Sequence, residues 1–273
     1  MSRIETLEET VDILVCVKRV PDPAENEIRL DADGTDIERD NLVYSVNEWD
    51  NYAVEEAIRI RDRTGGSVTV VTIDNEEGDE VLRRELAMGA DRAIHVWDKL
   101  FEGADGEGLA RILKAEIEKG RYDLVFTGVQ ADAGSAQVGG MLAAMLDWPF
   151  ASIVSHLEVL DEQKIRIHRE VAGGNQEVYE MDLPGVLSIQ TGINEPRYVP
   201  IRGILKASSL DIPIHKASNL GLTADTAGAS RARVKRQDYF LPVMGEGADI
   251  LKGTAEEIIE RLIGLLKSKG GIR

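Results

Sequence analysis

Residues 67–97 read SVTVVTIDNEEGDEVLRRELAMGADRAIHVW and place two apolar runs on either side of a helical pattern. The runs at 67–73 and 93–97 have the length and apolar character of buried strands. Residues 78–88 have the helical pattern, and Gly89 is a natural C-cap for that helix. A strand–helix–strand order of this length builds a right-handed crossover, so the stretch predicts a parallel βαβ unit.

The same alternation continues on both sides of this stretch. Upstream, the short β-branched run 13–17 predicts a strand buried on both faces, and a helical pattern follows it and ends at Gly65. Downstream, the pattern repeats with a helix around 109–117, a strand at 123–127 and a helix at 136–146. We therefore expect an α/β fold with a mostly parallel sheet flanked by helices.

Downstream of the last of these helices, the pattern changes to strands alone. Residues 152–160, 164–171 and 177–183 alternate as strands do, and Gly173-Gly174 supplies a hairpin turn. We expect this β-rich section to extend the same sheet.

From about Ala207 the composition shifts again, and residues 211–232 are rich in Ser, Ala, Gly, Thr and Pro with weak periodicity. We interpret this segment as an extended arm. It ends in a helix with one apolar stripe, and Thr254 and Glu257 form a capping box at the start of that helix. The predicted domains are an α/β domain at 1–205 and an arm with a C-terminal helix at 206–273. The apolar stripe of this helix docks either on its own domain or on a second subunit.

The charge balance excludes one broad class of function. The 273 residues include 32 Lys and Arg against 49 Asp and Glu, a formal net charge of −17. This argues against nucleic-acid binding, which needs a basic surface to displace counterions from phosphates. It does not exclude a small phosphate ligand, because backbone N–H groups can hold an anion without a basic side chain.

Other classes are excluded by what the sequence lacks. One cysteine, Cys16, excludes a disulfide framework and a cysteine-based zinc site. The sequence has no apolar run long enough to cross a membrane, and its polar N-terminus does not resemble a signal peptide. We expect a cytoplasmic protein without membrane insertion. The sequence also has no Walker-type phosphate loop, no metal-ligand spacing of histidines and no nucleophile elbow, so we name no metal site and no catalytic residue.

Residues 127–140, TGVQADAGSAQVGG, follow a predicted strand and precede a predicted helix. In open α/β sheets, ligands bind outside the carboxyl ends of the strands. The glycines allow close backbone approach, and Ser135 and the following N–H groups would face an anion at the positive end of the helix. Cys16, Asn47 and Ile73 end or follow neighbouring strands and could line the same pocket. An ordinary βα loop, with structural roles for these three residues, is the alternative.

Residues 191–198, TGINEPRY, combine turn residues with one apolar side chain, Ile193. An exposed apolar tip on a polar loop is a common protein-contact device, so this loop is a candidate partner-recognition site. The alternative is that Ile193 packs inward.

Taken in order, several motifs resemble the β subunits of electron transfer flavoproteins. The resemblance runs from Asp12 to Ser208 and covers most of the chain. The matching stretches are VCVKRVPD at 15–22, NxxDxxAVEEA at 47–57, LAMGADR at 86–92, AQVG at 136–139 with Trp148-Pro149, REVxGG at 169–174, Leu183-Pro184 and NEPRY at 194–198. Each motif alone is modest, and the ordered set is specific.

This resemblance implies a Rossmann-like, nucleotide-binding domain at 1–205 and an obligate, larger α subunit that holds most of an FAD. The heterodimer carries electrons from dehydrogenases of the acyl-CoA type to a quinone oxidoreductase or another acceptor, and is an electron carrier rather than a classical enzyme. The β subunit usually binds a structural AMP. The arm at 206–273 would wrap onto the α subunit.

The resemblance also assigns residues, position by position. The nucleotide contacts would be Cys16, Asn47, Ile73, Gly128, Gln130, Ala131, Asp132, Gly134, Ser135, Ala136, Gln137, Val138 and Gly139. The loop that recognises the dehydrogenase would contain Ile193, Asn194, Glu195, Pro196, Arg197 and Tyr198, with Ile193 as its apolar anchor.

The nucleotide loop departs from the common AMP-binding pattern, which has an acidic run followed by Asn-Gln-Thr-Gly. Residues 136–139 instead resemble the electron-bifurcating branch, in which the β subunit binds a second FAD and oxidises NADH. The pattern at 194–198 is that of an ordinary carrier, and this favours AMP. A non-redox module that binds an adenine nucleotide is a more remote alternative.

Overall fold

The computed structural model of the chain describes residues 10–131, 134–242, 245 and 247–272. Its strands are β1 (Ile13–Cys16), β2 (Arg19–Pro21), β3 (Tyr44–Val46), β4 (Val68–Ile73), β5 (Arg92–Val96), β6 (Leu124–Gly128), β7 (Phe150–Asp161), β8 (Lys164–Val171), β9 (Asn175–Asp182), β10 (Gly185–Ile189) and β11 (Ile214–His215). Its α-helices are α1 (Glu48–Thr64), α2 (Asp79–Met88), α3 (Gly106–Ile117), α4 (Val138–Leu146), α5 (Ile201–Ser208), α6 (Ala217–Leu220), α7 (Ala224–Ala227) and α8 (Ala255–Ser268). Within these described ranges, no helix is long and apolar enough to cross a membrane.

Nine of the described strands form one sheet, in the order β11-β5-β4-β1-β6-β10-β7-β8-β9. All neighbours from β11 to β7 run parallel, whereas β7, β8 and β9 form an antiparallel meander. The predicted α/β fold, with a mostly parallel sheet extended by the β-rich section, is therefore confirmed.

The strand order reverses at β1, and this reversal creates a crevice. From β1 the chain passes to β4 and β5 on one side and later to β6 on the other. Ile13 and Val15 of β1 pack with α1 and α2 on one face, and Leu14 packs with α3 and α4 on the other. Because both faces are covered, the strand is apolar throughout. In sheets of this kind, ligands bind at the carboxyl ends of the strands where the order reverses.

Strands β7 and β8 of the antiparallel meander are covered on one face, and charge pairs lie on the other. Arg166 on β8 bonds Glu158 on β7 and Glu180 on β9, each at 3.1 Å. Ile165 and Ile167, which alternate with it, are buried. This one-sided pattern is typical of antiparallel sheets and explains why the sequence alternates here.

The segment after residue 206 is not extended throughout. Strand β11 pairs in parallel with β5, and Ile212, Ala217 and Ala227 are buried. Part of the predicted arm therefore packs as a component of the α/β unit. The sequence did not indicate this because elements of two to four residues are too short to produce a periodic pattern.

The described chain forms two compact units. The first contains residues up to Ile28 together with Arg39–Arg236, and the second contains Arg29–Glu38 and residues from Gln237 onward. In the second unit, Thr254 and Glu257 form the predicted capping box at the start of α8. Five apolar side chains of α8 are exposed: Ile259, Leu262, Ile263, Leu265 and Leu266. The domain boundary at residue 205 and the docking of α8 on another subunit stay predictions.

Candidate functional site

A cavity of about 800 Å³ opens at the carboxyl ends of β1, β4 and β6, where the strand order reverses. One wall consists of these strand ends and the glycine-rich loop that leads into α4. The rest of the lining consists of residues 103–106 and Leu109, at the start of α3, and of residues from the segment 229–236. A cavity of this size can enclose a ligand as large as a nucleotide.

The structure brings most of the predicted nucleotide-site residues together at this cavity. The predicted residues that line it are Cys16, Ile73, Gly128, Gln130, Ala131, Gly134, Ser135, Ala136, Gln137, Val138 and Gly139. They come from the ends of β1, β4 and β6 and from the loop that follows. Asp132 lies outside the described residues. The role of these residues in binding a ligand stays a prediction.

Asn47 has a different position from the one expected. It precedes α1, but its side chain neither caps that helix nor lines the cavity. The Asn47 Nδ2 group instead donates a hydrogen bond of 2.9 Å to the Gln130 carbonyl, and the residue is buried. Asn47 therefore stabilises the glycine-rich loop from a buried position outside the cavity lining.

Two glycines of the loop are required by packing inside the protein. A Cβ on Gly139 would lie 2.6 Å from Ser188 Oγ and 2.9 Å from Thr127 Oγ1. A Cβ on Gly128 would lie 2.6 Å from the Trp49 Cβ. These glycines let α4 and α1 approach the strand ends closely. Consequently the first N–H groups of α4, which have no partner within the helix, are held at the cavity.

Asp50, on the first turn of α1, joins the ends of two strands. One carboxylate oxygen accepts the Lys18 N–H at 2.8 Å, and the other accepts the Gly128 N–H at 2.9 Å. Burial raises the pKa of Asp50 to about 7, although hydrogen bonds from Asn47, Lys18 and Gly128 act in the opposite direction. Asp50 lines the cavity, so it is a site residue that sequence reasoning missed. In the sequence, the only indication of its role is its position as the Asp of the NxxD motif at 47–50.

Cys16 forms part of the cavity lining and is not a reactive thiol. Burial raises the pKa of its thiol above the usual range, and the nearby Asp50 acts in the same direction. Because the thiolate is the nucleophilic form of cysteine, this side chain stays a neutral thiol at the end of β1.

The segment 229–236 brings positive charge to the cavity. Lys235 and Arg236 line it, together with Val234, Ala232 and Ala229. Sequence reasoning missed these residues because they follow a segment of weak periodicity and carry no motif. Lys18 lines the cavity as well, so three cations face two carboxylates, Asp50 and Asp105, and this balance favours an anionic ligand.

The cavity therefore combines two chemical surfaces. Ile73 and Leu109 provide apolar contact for a flat ring. The N–H groups at the start of α4 and the cations Lys235 and Arg236 suit a phosphate. Among the described residues, no group of three or more His, Cys, Asp or Glu side chains is placed to hold a metal ion.

The predicted recognition loop at 191–198 is attached to α1 by its polar residues. The Arg197 guanidinium and its backbone N–H both bond Glu55, with Nε 2.8 Å from Oε2. Asn194 Nδ2 donates to the Tyr52 carbonyl and to Glu56 Oε2. Hydrogen bonding by Arg197 and Arg59 lowers the pKa of Glu55 and keeps it ionised, although its burial acts in the opposite direction.

The apolar residues near this loop divide into a buried one and an exposed group. Ile193, the predicted anchor, is half-buried and packs against the core layer that contains α1 and α2. Tyr198 is 87% exposed, and on α5 Ile201 is 71% exposed, with Ile204 and Leu205 also exposed. Sequence reasoning missed this face of α5, although its apolar residues at i, i+3 and i+4 were a readable signal.

Comparison with known proteins agrees with this architecture. A family model described as the electron transfer flavoprotein domain matches residues 35–220. The chain is 37% identical over 263 residues to the electron transfer flavoprotein subunit beta of Methylophilus methylotrophus, an alignment covering 95% of this chain and 99% of that protein. It is 34% identical over 261 residues to the caffeyl-CoA reductase-Etf complex subunit CarD of Acetobacterium woodii, covering 94% and 98%. The human electron transfer flavoprotein subunit beta is 37% identical over 217 residues, covering 77% and 83%. The chain therefore belongs to the electron transfer flavoprotein family, as a β subunit.

Proposed function

We propose that this β subunit pairs with an electron transfer flavoprotein α subunit, which holds most of the FAD, and binds an AMP in the cavity at the strand reversal. The observation that carries the proposal is that cavity, where the N-terminus of α4, two cations and an apolar wall meet. The phosphate of AMP would contact the N-terminus of α4 and the two cations, and its adenine ring would contact the apolar wall. When bound, the FAD supplies the redox chemistry, and AMP supplies none.

In this proposal the heterodimer accepts electrons from a dehydrogenase of the acyl-CoA type and passes them to a quinone oxidoreductase or another acceptor. The β chain is a platform rather than a catalyst. Its residues hold the nucleotide and present a docking surface. Its free Cys16 suits a reducing compartment, so a cytoplasmic location is part of the proposal.

The dehydrogenase docks on the exposed face of α5 together with Tyr198. Exposed Ile201, Ile204 and Leu205 give this face an apolar centre, and Glu55 fixes the adjoining loop to α1 through Arg197. We therefore assign the anchoring role to the α5 face rather than to the half-buried Ile193. The exposed stripe of α8 docks separately, on the α subunit.

The second candidate function is electron bifurcation, with a second FAD in the β cavity that accepts a hydride from NADH. Two observations favour it: the cavity volume of about 800 Å³ also suits a dinucleotide, and residues 136–139 read Ala-Gln-Val-Gly. One relative is named as a subunit of a caffeyl-CoA reductase-Etf complex. A non-redox nucleotide module is the third candidate.

The deciding experiment is a count of bound nucleotides in the heterodimer. After co-expression with the α subunit, the purified complex is denatured, and released FAD and AMP are quantified by chromatography. We expect one FAD and one AMP per heterodimer. Two FAD molecules and no AMP would overturn the carrier in favour of bifurcation, and a flavin-free homodimer would favour the third candidate.

A pair of glycine variants locates the AMP. In Gly139→Ala, the new Cβ would lie 2.6 Å from Ser188 Oγ and displace the start of α4. In Gly140→Ala, the new Cβ meets Phe150 at an ordinary 3.4 Å. We expect the first variant to lose AMP while keeping FAD, and the second to keep both. Equal AMP content in the two variants would place the nucleotide elsewhere.

A further inference from the structure

We propose that residues 229–236, here called the strap, are held across the nucleotide cavity by Asp105 and Glu107, so that strap closure and nucleotide binding reinforce each other. This inference rests on the proposed function, because it assumes that the cavity binds a nucleotide. It adds a positioning residue, Asp105, and a conformational coupling.

Asp105 is the central attachment point of the strap. Its Oδ2 accepts the backbone N–H groups of Arg233, at 2.8 Å, and Val234, at 3.2 Å. Its Oδ1 accepts the Gly108 N–H at 3.0 Å and thereby caps α3. These hydrogen bonds lower the pKa of Asp105, most of all the bond from Gly108, so the carboxylate is ionised at neutral pH. One side chain thus fixes both the strap and the helix beneath it.

Glu107 attaches the strap at a second place. Its carboxylate lies 3.3 Å from Arg233 Nε and 3.8 Å from Arg231 Nη2, and it also bonds Arg111 of α3 at 2.9 Å. These pairs are partly exposed, so each contributes modestly. They hold the outer side of the strap, whereas Asp105 holds its backbone.

Small residues let the strap and the preceding helix α7 pack closely near the start of α3. A Cβ on Gly103, three residues before α3, would lie 2.9 Å from the Ala229 Cβ of the strap. A Cβ on Gly108 of α3 would lie 3.3 Å from the Ala227 carbonyl at the end of α7. After Arg231 the strap has no regular secondary structure. Its position therefore depends on side-chain bonds to its backbone rather than on a helix or a strand.

The strap is also a wall of the cavity. Ala229, Ala232, Val234, Lys235 and Arg236 line it, and the last two bring the positive charge. A phosphate in the cavity gains these two cations only while the strap is closed. Ligand binding must then favour the closed strap, and closing the strap must raise the affinity by the same factor, because coupling between two equilibria is reciprocal.

Asp105→Asn separates this role from helix capping. Asparagine is as good an N-cap as aspartate, so its side-chain oxygen can still accept the Gly108 N–H. Its amide group then faces the Arg233 and Val234 N–H groups, which lose their acceptor. Asp98→Asn is the matched control: Asp98 caps a turn through the Leu100 N–H and holds later backbone through the Ala217 N–H, but it does not line the cavity.

The experiment uses the full chain, with AMP as the probe in titration calorimetry and in timed digestion by trypsin. The strap offers trypsin four cleavage positions, after Arg231, Arg233, Lys235 and Arg236. We expect AMP to slow cleavage at these positions in the wild type and in Asp98→Asn. In Asp105→Asn we expect AMP affinity to fall about tenfold and the protection by AMP to disappear. Without AMP, we expect Asp105→Asn and Asp98→Asn to unfold at the same temperature.

Each other outcome has a defined meaning. If the wild type binds AMP without protecting the strap, or Asp105→Asn binds AMP as tightly as the wild type, the strap proposal is overturned and the proposed nucleotide site stands. If the wild type binds neither AMP nor FAD, used as a second probe, the proposed function fails and the strap proposal with it.

Discussion

Asp50 on α1 and Glu85 on α2 are two buried carboxylates, close enough for the charge of one to act on the pKa of the other. They differ in their partners. Both oxygens of Asp50 accept backbone N–H groups at the strand ends. Neither oxygen of Glu85, a fully buried side chain, has a hydrogen-bond partner among the described residues. Burial, together with the charge of Asp50, raises the pKa of Glu85 to about 8, and Arg84 opposes this.

The difference shows that burial alone does not identify a functional carboxylate. Asp50 fixes the shape of the cavity, since it joins the ends of β1 and β6. Glu85 lies away from the cavity lining, and its ionisation works against the folded state. Three substitutions at these two carboxylates test this contrast, and a fourth at an exposed apolar residue is expected to leave stability almost unchanged.

Asp50→Ala has the largest expected effect. It removes the acceptor of the Lys18 and Gly128 N–H groups, which leaves both unpaired inside the fold. Because the pKa of Asp50 rises to about 7 on folding, the loss in the free energy of unfolding is greatest below pH 7, where it reaches roughly 4 kcal/mol. AMP affinity falls as well, because the glycine-rich loop loses an anchor. Urea unfolding of the full chain and AMP titration measure the two effects. Asp50→Asn, which keeps one acceptor, is the matched variant and loses less; equal stability of wild type and Asp50→Ala would contradict the assignment.

Glu85→Leu is expected to stabilise the protein. At pH 7 the folded state keeps Glu85 protonated against a pKa of 4.5 in the unfolded chain, and removing this cost gains about 3 kcal/mol. The leucine also buries apolar surface in place of an unpartnered carboxyl. Urea unfolding at pH 7 measures the change. A destabilised variant would show that Glu85 has a partner role, and the contrast with Asp50 would be lost.

Glu85→Gln sharpens the contrast through its pH dependence. The pKa of Glu85 rises from 4.5 to about 8 on folding, so the folded chain binds more protons in this window. Stability contributed by the protonated group is therefore lost as pH rises from about 4.5 to about 8, by at most about 1.4 kcal/mol per pH unit.

The glutamine variant lacks this component. Its stability relative to the wild type should increase with pH and level off above about 8. Asp50 keeps a raised pKa in both proteins, so the difference between the two curves reports Glu85 together with its electrostatic coupling to Asp50. Thermal unfolding from pH 5 to pH 9 gives both curves. Parallel curves would mean that Glu85 is ionised in the folded chain.

The smallest effect on stability is expected at Ile201, because its side chain is mostly exposed to solvent. Ile201→Asp is expected to change stability by less than about 0.5 kcal/mol. It should nevertheless weaken docking of an acyl-CoA dehydrogenase about tenfold, if Ile201 is an apolar anchor. The measurement is the KM of the dehydrogenase for the heterodimer as its electron acceptor. Val43→Asp, at another exposed apolar position, is the control, and an equal loss in both variants would argue against docking on α5.

The fold was predictable because its signals are local. The apolar runs that became β1, β4 and β5 are buried on both faces, and Gly89 ends α2 with a φ of 136°. The short β11 left no pattern, because two residues cannot show a period. Its pairing with β5 depends on contacts between distant parts of the chain.

The candidate site divides in the same way. The loop at 127–140 was identified from glycines that are adjacent in sequence, whereas Asp50 acts on Lys18 and Gly128, 32 and 78 residues away. The strap was missed for the same reason, because Asp105 reaches it across more than a hundred residues. Ile193 and Ile201 were both visible as apolar residues, and only the fold decides which of them faces outward.

The place of β10 in the sheet has a consequence for the order of folding. This strand lies between β6 and β7, yet it follows β7, β8 and β9 in the chain. The meander at 150–182 is therefore synthesised before the strand that connects it to the parallel part of the sheet. It can form its own local pairs early, but it joins the sheet only when β10 arrives, so the non-local step that unites the two parts is expected to limit the folding rate.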